Sequence, residues 1–463
     1  MEANHSENLF SLFYNQVVDD PNKPYLTYEE KTLSYNEAYK WIISIVAQIK
    51  QHSLKYNSVV LNFKNQQKLL MSYWACVALE IDIILVPEME INLEGFLAID
   101  YKLEADLMLT DFINAKSCYD VEINTGYLLT TSTIFPTTTR LNANIVFFTS
   151  GTTGKSKFIK TSYYQMMSAI RCIQEHQLMP YTALQKVLLT VPLFHSYGLS
   201  AAIEYTQGGS HLFLPKSKDH ISPLQALLSK AVSEQITAIE GVPYFYKQMA
   251  TIMNRLKLPR LKHIGMGGDS VSLELLRKIN DFNSSLSYSV RYGVTEIPSV
   301  ISLNLFKYHE DISTRVLGKI LPIYHVALHA DDEGLKETEG EMRVDFLLYP
   351  DLPVNISTGD LFALSNGNYI FKSRKVFLKY KGYKISPLEV EEYLNGHEYI
   401  DDSRVYLNND MLTADLVARQ EKVLDPKEIR SYLLSCMNAY LIPDQYNVVE
   451  VIKRTKTGKI IRQ

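Results

Sequence analysis

Apolar residues Leu9, Leu12, Phe13, Val17 and Val18 recur at helical spacing and stop at Asp20-Pro21, which predicts a short amphipathic helix near the start of the chain. Residues 24–28 read as a strand. A capping box follows, Ser34 with Glu37 three positions on, and the stripe Ala38, Trp41, Ile42, Ile45 and Ile49 predicts a helix behind it. The runs 59–63 and 81–86 are apolar apart from Asn62 and Asp82, as in buried strands, and flank a helical segment at 69–79. Strand, helix and strand in this rhythm imply a parallel sheet. Signals weaken between about residues 90 and 144. The rhythm then resumes with a helix at 164–176, strands at 186–191 and 236–239, and a helix opened by Gly241-Val242-Pro243, and it runs to about residue 300.

Residues 315–371 carry strand-like and turn-like pieces rather than helices, which predicts a smaller β subdomain. A hairpin-like segment at 375–385, turning near Lys381-Gly382, opens the last portion. There Ser386-Pro387-Leu388-Glu389 supplies an N-cap, a proline at the first helical position and an acid at the third, and Asp425-Pro426-Lys427-Glu428 repeats the arrangement. The reading is an α/β protein. A large N-terminal domain, 1–374, has parallel or mixed sheets with flanking helices plus a β subdomain, and a small α+β C-terminal domain occupies 375–463.

Composition changes this picture little. The 463 residues are 46% apolar, enough for more than one buried core, so two or more domains are expected. Lys plus Arg number 47 against 51 Asp plus Glu, and the net charge of −4 gives no electrostatic reason to expect nucleic acid or an anionic membrane as partner. Cys76, Cys118, Cys172 and Cys436 are scattered without a CxxC pair, which argues against a metal site or disulfide framework and for a reducing compartment. No apolar run approaches membrane-spanning length, and the N-terminus lacks a signal peptide's basic start and apolar core. The expectation is a cytoplasmic protein with no integral membrane segment.

The candidate chemistry centres on one stretch. Ile145, Val146, Phe147 and Phe148 form a short buried strand, and Thr149-Ser150-Gly151-Thr152-Thr153-Gly154-Lys155-Ser156-Lys157 after it suits neither strand nor helix. Two glycines free backbone N–H groups, hydroxyls add donors and lysines add charge, so the loop can cradle a polyphosphate. The Walker P-loop is excluded by spacing, because only two residues separate Gly151 from Gly154. A plain Gly/Thr surface loop is the competing meaning.

The run TSGTTGKSK resembles the phosphate loop of the adenylate-forming superfamily, which holds acyl-CoA synthetases, peptide-synthetase adenylation domains and luciferases. The other motifs of that family have counterparts in order. The resemblance implies ATP- and Mg²⁺-dependent activation of a carboxylic acid to an acyl adenylate, then transfer to a thiol, with coenzyme A as the expected co-substrate. It implies that Thr149, Ser150, Gly151, Thr152, Thr153, Gly154 and Lys157 hold phosphates, and that Gly267-Gly268-Asp269 meets the adenine edge. Tyr292-Gly293-Val294-Thr295-Glu296 then supplies Tyr292 for stacking on adenine, Thr295 for the α-phosphate and Glu296 as the Mg²⁺ ligand. Asp360, in Thr358-Gly359-Asp360, accepts from the ribose hydroxyls, and Arg374 reaches ribose or phosphates. Lys459 contacts the carboxylate and α-phosphate, carried by a mobile C-terminal domain with a thiol channel beside Gly382 and a hinge at Lys375.

His195, in Pro192-Leu193-Phe194-His195, bears by resemblance on the acyl pocket. No acid lies beside it in sequence where amino-acid-activating members carry Asp, which implies a fatty or aryl acid rather than an α-amino acid. Departures from the family pattern are Phe158 for a glycine, Tyr163 for a histidine, a short 340–356 segment and a missing hinge aspartate. Two alternatives stand beside the acyl-CoA synthetase. One is an adenylation enzyme that loads the phosphopantetheine thiol of an acyl or peptidyl carrier protein, and the other is a nucleotide-binding homologue without turnover.

Overall fold

A computed structural model of the chain describes residues 8–52, 57–86, 107–110, 118–119, 143–149, 157–179, 181–216, 221–309, 312–330, 338–347, 355–374, 378–380, 383–409, 411–420, 422–437, 441–454 and 460–461. The chain forms two compact units, 1–323 and 324–463. The division read from the sequence at 374/375 lies inside the second unit, after its four-stranded sheet.

In the first unit the described strands make two sheets. The larger runs, strand by strand, Lys319–Ile320, Ser302–Lys307, Ser287–Tyr292, His263–Gly267, Ala238–Gly241, Lys186–Leu189, His211–Leu214, Pro24–Tyr28 and Lys31–Ser34. It is parallel from Ser287–Tyr292 to Pro24–Tyr28, and the antiparallel pairs lie at the edges. The smaller runs Cys118–Tyr119, Leu107–Thr110, Ser58–Asn62, Asp82–Leu85, Asn144–Thr149 and Lys157–Ser162, parallel except for the last pair. The mixed α/β reading therefore holds. Strand 236–239 is shifted: the chain pairs as Ala238–Gly241, which draws Glu240 into the sheet.

Local chemistry sets the helices. Ser34 and Glu37 close the expected capping box on helix Tyr35–His52. A second box, Ser162 with Gln165, starts helix Tyr163–Glu175, and the buried Tyr163 hydroxyl donates to the Ile81 carbonyl, so tyrosine at this position ties the helix to the sheet. Helix Ser11–Asp19 docks through aromatic rings. Phe13 lies 5.5 Å from Trp74 and 5.3 Å from Tyr25, and the Trp74 indole N–H donates to the Tyr25 hydroxyl at 3.0 Å. Such edge and tilted contacts add about 0.5–1.5 kcal/mol each beyond area burial.

The second unit opens with an antiparallel sheet of Tyr324–His329, Glu339–Phe346, Ile356–Ser365 and Asn368–Arg374, the expected β-rich region. The hairpin Leu378–Tyr380/Tyr383–Ile385 and helix Pro387–Asn395 follow, then the sheet Ile400–Asn408, Met411–Ala418 and Gln445–Val448, with helix Pro426–Cys436. Ser386 and Asp425 accept the N-cap hydrogen bonds that their sequences predict. Ile385, Val390, Leu394, Val405, Leu412 and Leu433 share one core.

One buried histidine gives the first unit a pH dependence. His263 sits in the large sheet with Ser287 Oγ 2.9 Å from Nδ1 and Ser289 Oγ 3.0 Å from Nε2. Burial, with help from Arg291, lowers its pKa from 6.5 to about 4. The unfolded chain therefore takes up this proton at higher pH than the folded one, so stability present above pH 6.5 is lost as pH falls towards 4. The full loss is about 3 kcal/mol, with a limiting slope of about 1.4 kcal/mol per pH unit. His211, also lowered to about 4 by burial, acts in the same sense, and Glu240, whose pKa burial raises, opposes them. The check is the difference between His263→Gln and wild type in urea midpoints from pH 7 to 4.5. The variant is expected to lose the slope of one proton, and identical slopes would show that His263 does not titrate this way.

Candidate active site

The strands Lys186–Leu189, Ala238–Gly241, His263–Gly267 and Ser287–Tyr292 run parallel, so the loops after them emerge at one edge of the sheet. After Lys186–Leu189 the chain adds His211–Leu214 on one side and then Ala238–Gly241 on the other. That reversal is a topological switch point, where open α/β sheets bind ligands beyond the carboxyl ends of their strands. His195 follows the first of the four strands, Gly267-Gly268-Asp269 the third and Tyr292-Gly293-Val294-Thr295-Glu296 the fourth. The fold thus brings together at one edge motifs that span about 100 residues of sequence.

His195 is the N-cap of helix Ser196–Gln207, half-buried, with its ring 4.3 Å from that of Phe194. This helix starts close against the preceding turn: a Cβ on Gly198 would stand 2.3 Å from the Pro192 carbonyl oxygen, so only glycine fits. Gly267 is buried, and a Cβ there would meet the Tyr197 ring at 3.1 Å. Gly268 has φ +81°, a backbone that favours glycine. Asp269 is exposed, and its carboxylate accepts from the Ser270 N–H at 2.8 Å. Tyr292 and Thr295 are half-buried and Glu296 is exposed. The loop closes on itself where Ile301 N–H donates to the Tyr292 carbonyl at 2.8 Å.

Beneath these loops lies a buried polar layer that sequence reading missed. Glu204 accepts from Arg291 Nη2 at 2.7 Å on each oxygen, from Tyr181 at 2.5 Å and from Ser299 at 2.6 Å. Glu240 accepts from Tyr197 at 2.7 Å and Tyr205 at 2.9 Å. A Cβ on Gly265 would stand 2.3 Å from the Glu240 carboxylate, so the absence of a side chain at 265 makes room for the acid. Burial raises the Glu240 pKa although Arg291 and the two tyrosines pull it down. Burial alone would lower that of Arg291, but Glu204 beside it holds the guanidinium charged. The only sequence signal was an isolated charge inside each apolar run, at Ala202-Ile203-Glu204-Tyr205, Ala238-Ile239-Glu240-Gly241 and Ser289-Val290-Arg291-Tyr292.

The layer reaches the segment that follows His195. Residues remote in sequence place Glu240 within hydrogen-bond reach of Tyr197, two positions after His195. Its carboxylate is committed to tyrosine hydroxyls, and that of Glu204 to Arg291, Tyr181 and Ser299.

In the second unit, Asp360 is buried on strand Ile356–Ser365 and pairs in register with Arg374, whose Nε lies 3.2 Å from Oδ1. Gly359 before it has φ +68°, its N–H donates to Glu341 at 3.1 Å, and the Thr358 hydroxyl donates to the Met342 carbonyl at 2.7 Å. Thr149 and Lys157 are register partners at the ends of a hairpin. Ser150, Gly151, Thr152, Thr153, Gly154, Lys375, Gly382 and Lys459 lie outside the described residues.

Among the described residues no group of three His, Cys, Asp or Glu is placed to hold a metal ion. An exposed Glu296 fits the other mode of Mg²⁺ binding, in which one or two carboxylates act together with substrate phosphates. No helix among the described residues is long and apolar enough to cross a membrane.

Comparison with known proteins agrees with this geometry. The family model of AMP-binding enzymes matches residues 120–345. Gramicidin S synthase 2 of Aneurinibacillus migulanus is 26% identical over 351 residues, covering 69% of this chain and 8% of that protein. The acyl-CoA ligase ppsA of Aspergillus oryzae is 27% identical over 287 residues, covering 56% of this chain and 49% of its own length. The chain thus spans less than half of either curated relative. The O-succinylbenzoate coenzyme A synthetase MenE of Bacillus subtilis, solved with AMP and separately with ATP and a magnesium ion, superposes with a TM-score of 0.79. The superposition covers 98% of this chain and 97% of MenE in its AMP complex at 20% identity, a likeness of fold. Residues 120–345 thus carry the AMP-binding enzyme domain of the adenylate-forming superfamily.

Proposed function

We propose that the chain activates a fatty or aryl carboxylic acid with ATP and then transfers the acyl group to the thiol of coenzyme A. The observation that carries this reading is the convergence of His195, Gly267, Gly268, Tyr292, Gly293, Thr295 and Glu296 at the switch point of the large sheet. In the first step a carboxylate oxygen attacks the α-phosphorus, the bond to the bridging oxygen of the β-phosphate breaks, and pyrophosphate leaves. In the second, a thiolate attacks the acyl carbon and AMP leaves.

Tyr292 at the strand end is to stack on adenine against the bare backbone of Gly267 and Gly268, and Thr295 is to donate to the α-phosphate. The exposed carboxylate of Glu296 is to hold Mg²⁺, which when bound offsets phosphate charge. Asp360 is assigned to the ribose hydroxyls and Arg374 to the nucleotide, with Lys459 arriving on a mobile C-terminal portion. That the buried carboxylates are already hydrogen-bonded supports a substrate without an α-amino group. Similarity to gramicidin S synthase 2 favours one second reading, a carrier-protein phosphopantetheine thiol as acceptor.

The test is acid-dependent exchange of pyrophosphate into ATP over a panel of fatty, aryl and α-amino acids, followed by thioester formation with coenzyme A or a carrier protein. Exchange is expected with the apolar acids. Exchange confined to amino acids would overturn the substrate class, and nucleotide binding without exchange for any acid would leave a binding protein.

A further inference from the structure

The loop that carries Thr295 and Glu296 is held from both ends by one buried carboxylate outside the motif. At its start, Arg291, the residue before Tyr292, places Nη2 2.7 Å from both oxygens of Glu204. At its end, the Ser299 hydroxyl donates to Glu204 Oε1 at 2.6 Å. Ser299 has φ +61°, a left-handed backbone uncommon for a residue with a Cβ, and it persists where surrounding contacts over-determine it. Inside the loop, Ile297 N–H donates to the Val294 carbonyl at 3.1 Å, and a Cβ on Gly293 would stand 3.3 Å from the Ser299 carbonyl oxygen. The loop is therefore a tight closed turn standing on Glu204. Glu204 is itself fixed, lying on helix Ser196–Gln207 with its side chain fully buried and Tyr181 donating to Oε2 at 2.5 Å.

We propose that Glu204 is a positioning residue for adenylation: by clamping Arg291 and Ser299 it sets the loop geometry at which Thr295 and Glu296 meet the nucleotide. The proposal rests on the function given above. It assigns no contact with substrate to Glu204. A charged hydrogen bond in a buried setting is strong enough to hold a loop that would otherwise sample open forms.

The test uses the full chain and Ser299→Ala, which keeps a Cβ on the left-handed backbone and removes only the hydroxyl, with Glu204→Gln as the second variant. In the ligand-free protein the amides of Ile297 and Ile301 are expected to exchange with solvent about tenfold faster or more in Ser299→Ala, as loss of a hydrogen bond to a charged group predicts. Amides of strand His263–Gly267 should keep their wild-type rates. In pyrophosphate exchange the Mg²⁺ concentration for half-maximal rate should rise and kcat should fall, with KM for the acid unchanged. Unchanged amide exchange in a folded Ser299→Ala protein overturns the clamp. Faster amide exchange with unaltered Mg²⁺ dependence and kcat overturns the positioning role. A wild type without any acid-dependent exchange sinks the function and not the clamp, which amide exchange in the ligand-free protein decides by itself.

Discussion

Replacing Lys459 with alanine is expected to slow acyl-adenylate formation by about 10²–10³, the usual loss on deleting one preorganised electrostatic donor. The carboxylate and the α-phosphate are both anions, and their approach concentrates negative charge at the reacting oxygens. A lysine that touches both lowers that barrier more than it tightens ground-state binding. Transfer to the thiol should be spared, because the mixed anhydride has already formed and the developing charge leaves with AMP. Preformed acyl adenylate offered to the variant with its thiol is therefore expected to give thioester at close to the wild-type rate. Equal loss in both steps would make Lys459 structural, and unimpaired adenylation would remove it from the site.

The largest expected effect on stability belongs to Arg291. Its guanidinium is almost fully buried and faces the equally buried Glu204. Arg291→Leu leaves that carboxylate without its cation, and such one-sided breaks cost about 3–5 kcal/mol. Tyr181 and Ser299 still donate to Glu204, which offsets part of that loss. The double variant Arg291→Leu/Glu204→Leu removes both charges and should recover much of the loss, since apolar replacement of a whole buried pair is often neutral. Urea unfolding of the four proteins in the cycle measures the coupling. A single variant as stable as wild type, or a double variant as unstable as the sum of the singles, would show that the pair is not coupled as described.

What the sequence made legible is local. Capping at Ser34, Ser386 and Asp425 depends on residues three or fewer positions apart, and each appears in the structure as read. Gly267-Gly268 and Tyr292-Gly293 were legible only through the family resemblance, and the structure sets both pairs at strand ends. The polar layer was not legible. Glu204, Glu240 and Arg291 come from a helix and two strands, and each looks like a stray charge until the sheet brings the partners within 3 Å. The shift of strand 236–239 to Ala238–Gly241 has the same origin. Apolar preference alone favours ending before Glu240, and the two tyrosine hydroxyls that make its burial tolerable lie some 35 and 43 positions away. Sequence reading also treated Lys157 as part of a loop. Pairing with Thr149 puts it on a strand, because a hairpin partner is invisible to a pattern of single residues.

The aromatic docking of the N-terminal helix has a spectroscopic consequence. The chain has only two tryptophans, Trp41 and Trp74, and both are buried in the first unit, Trp74 completely. Indole emission therefore reports the first unit alone, and loss of structure confined to residues 324–463 is silent in it. An unfolding curve followed by tryptophan fluorescence would look like a single transition even if the units melted at different denaturant concentrations, whereas backbone circular dichroism would register both. The separation between the two curves is a direct reading of how independently the second unit holds its own core.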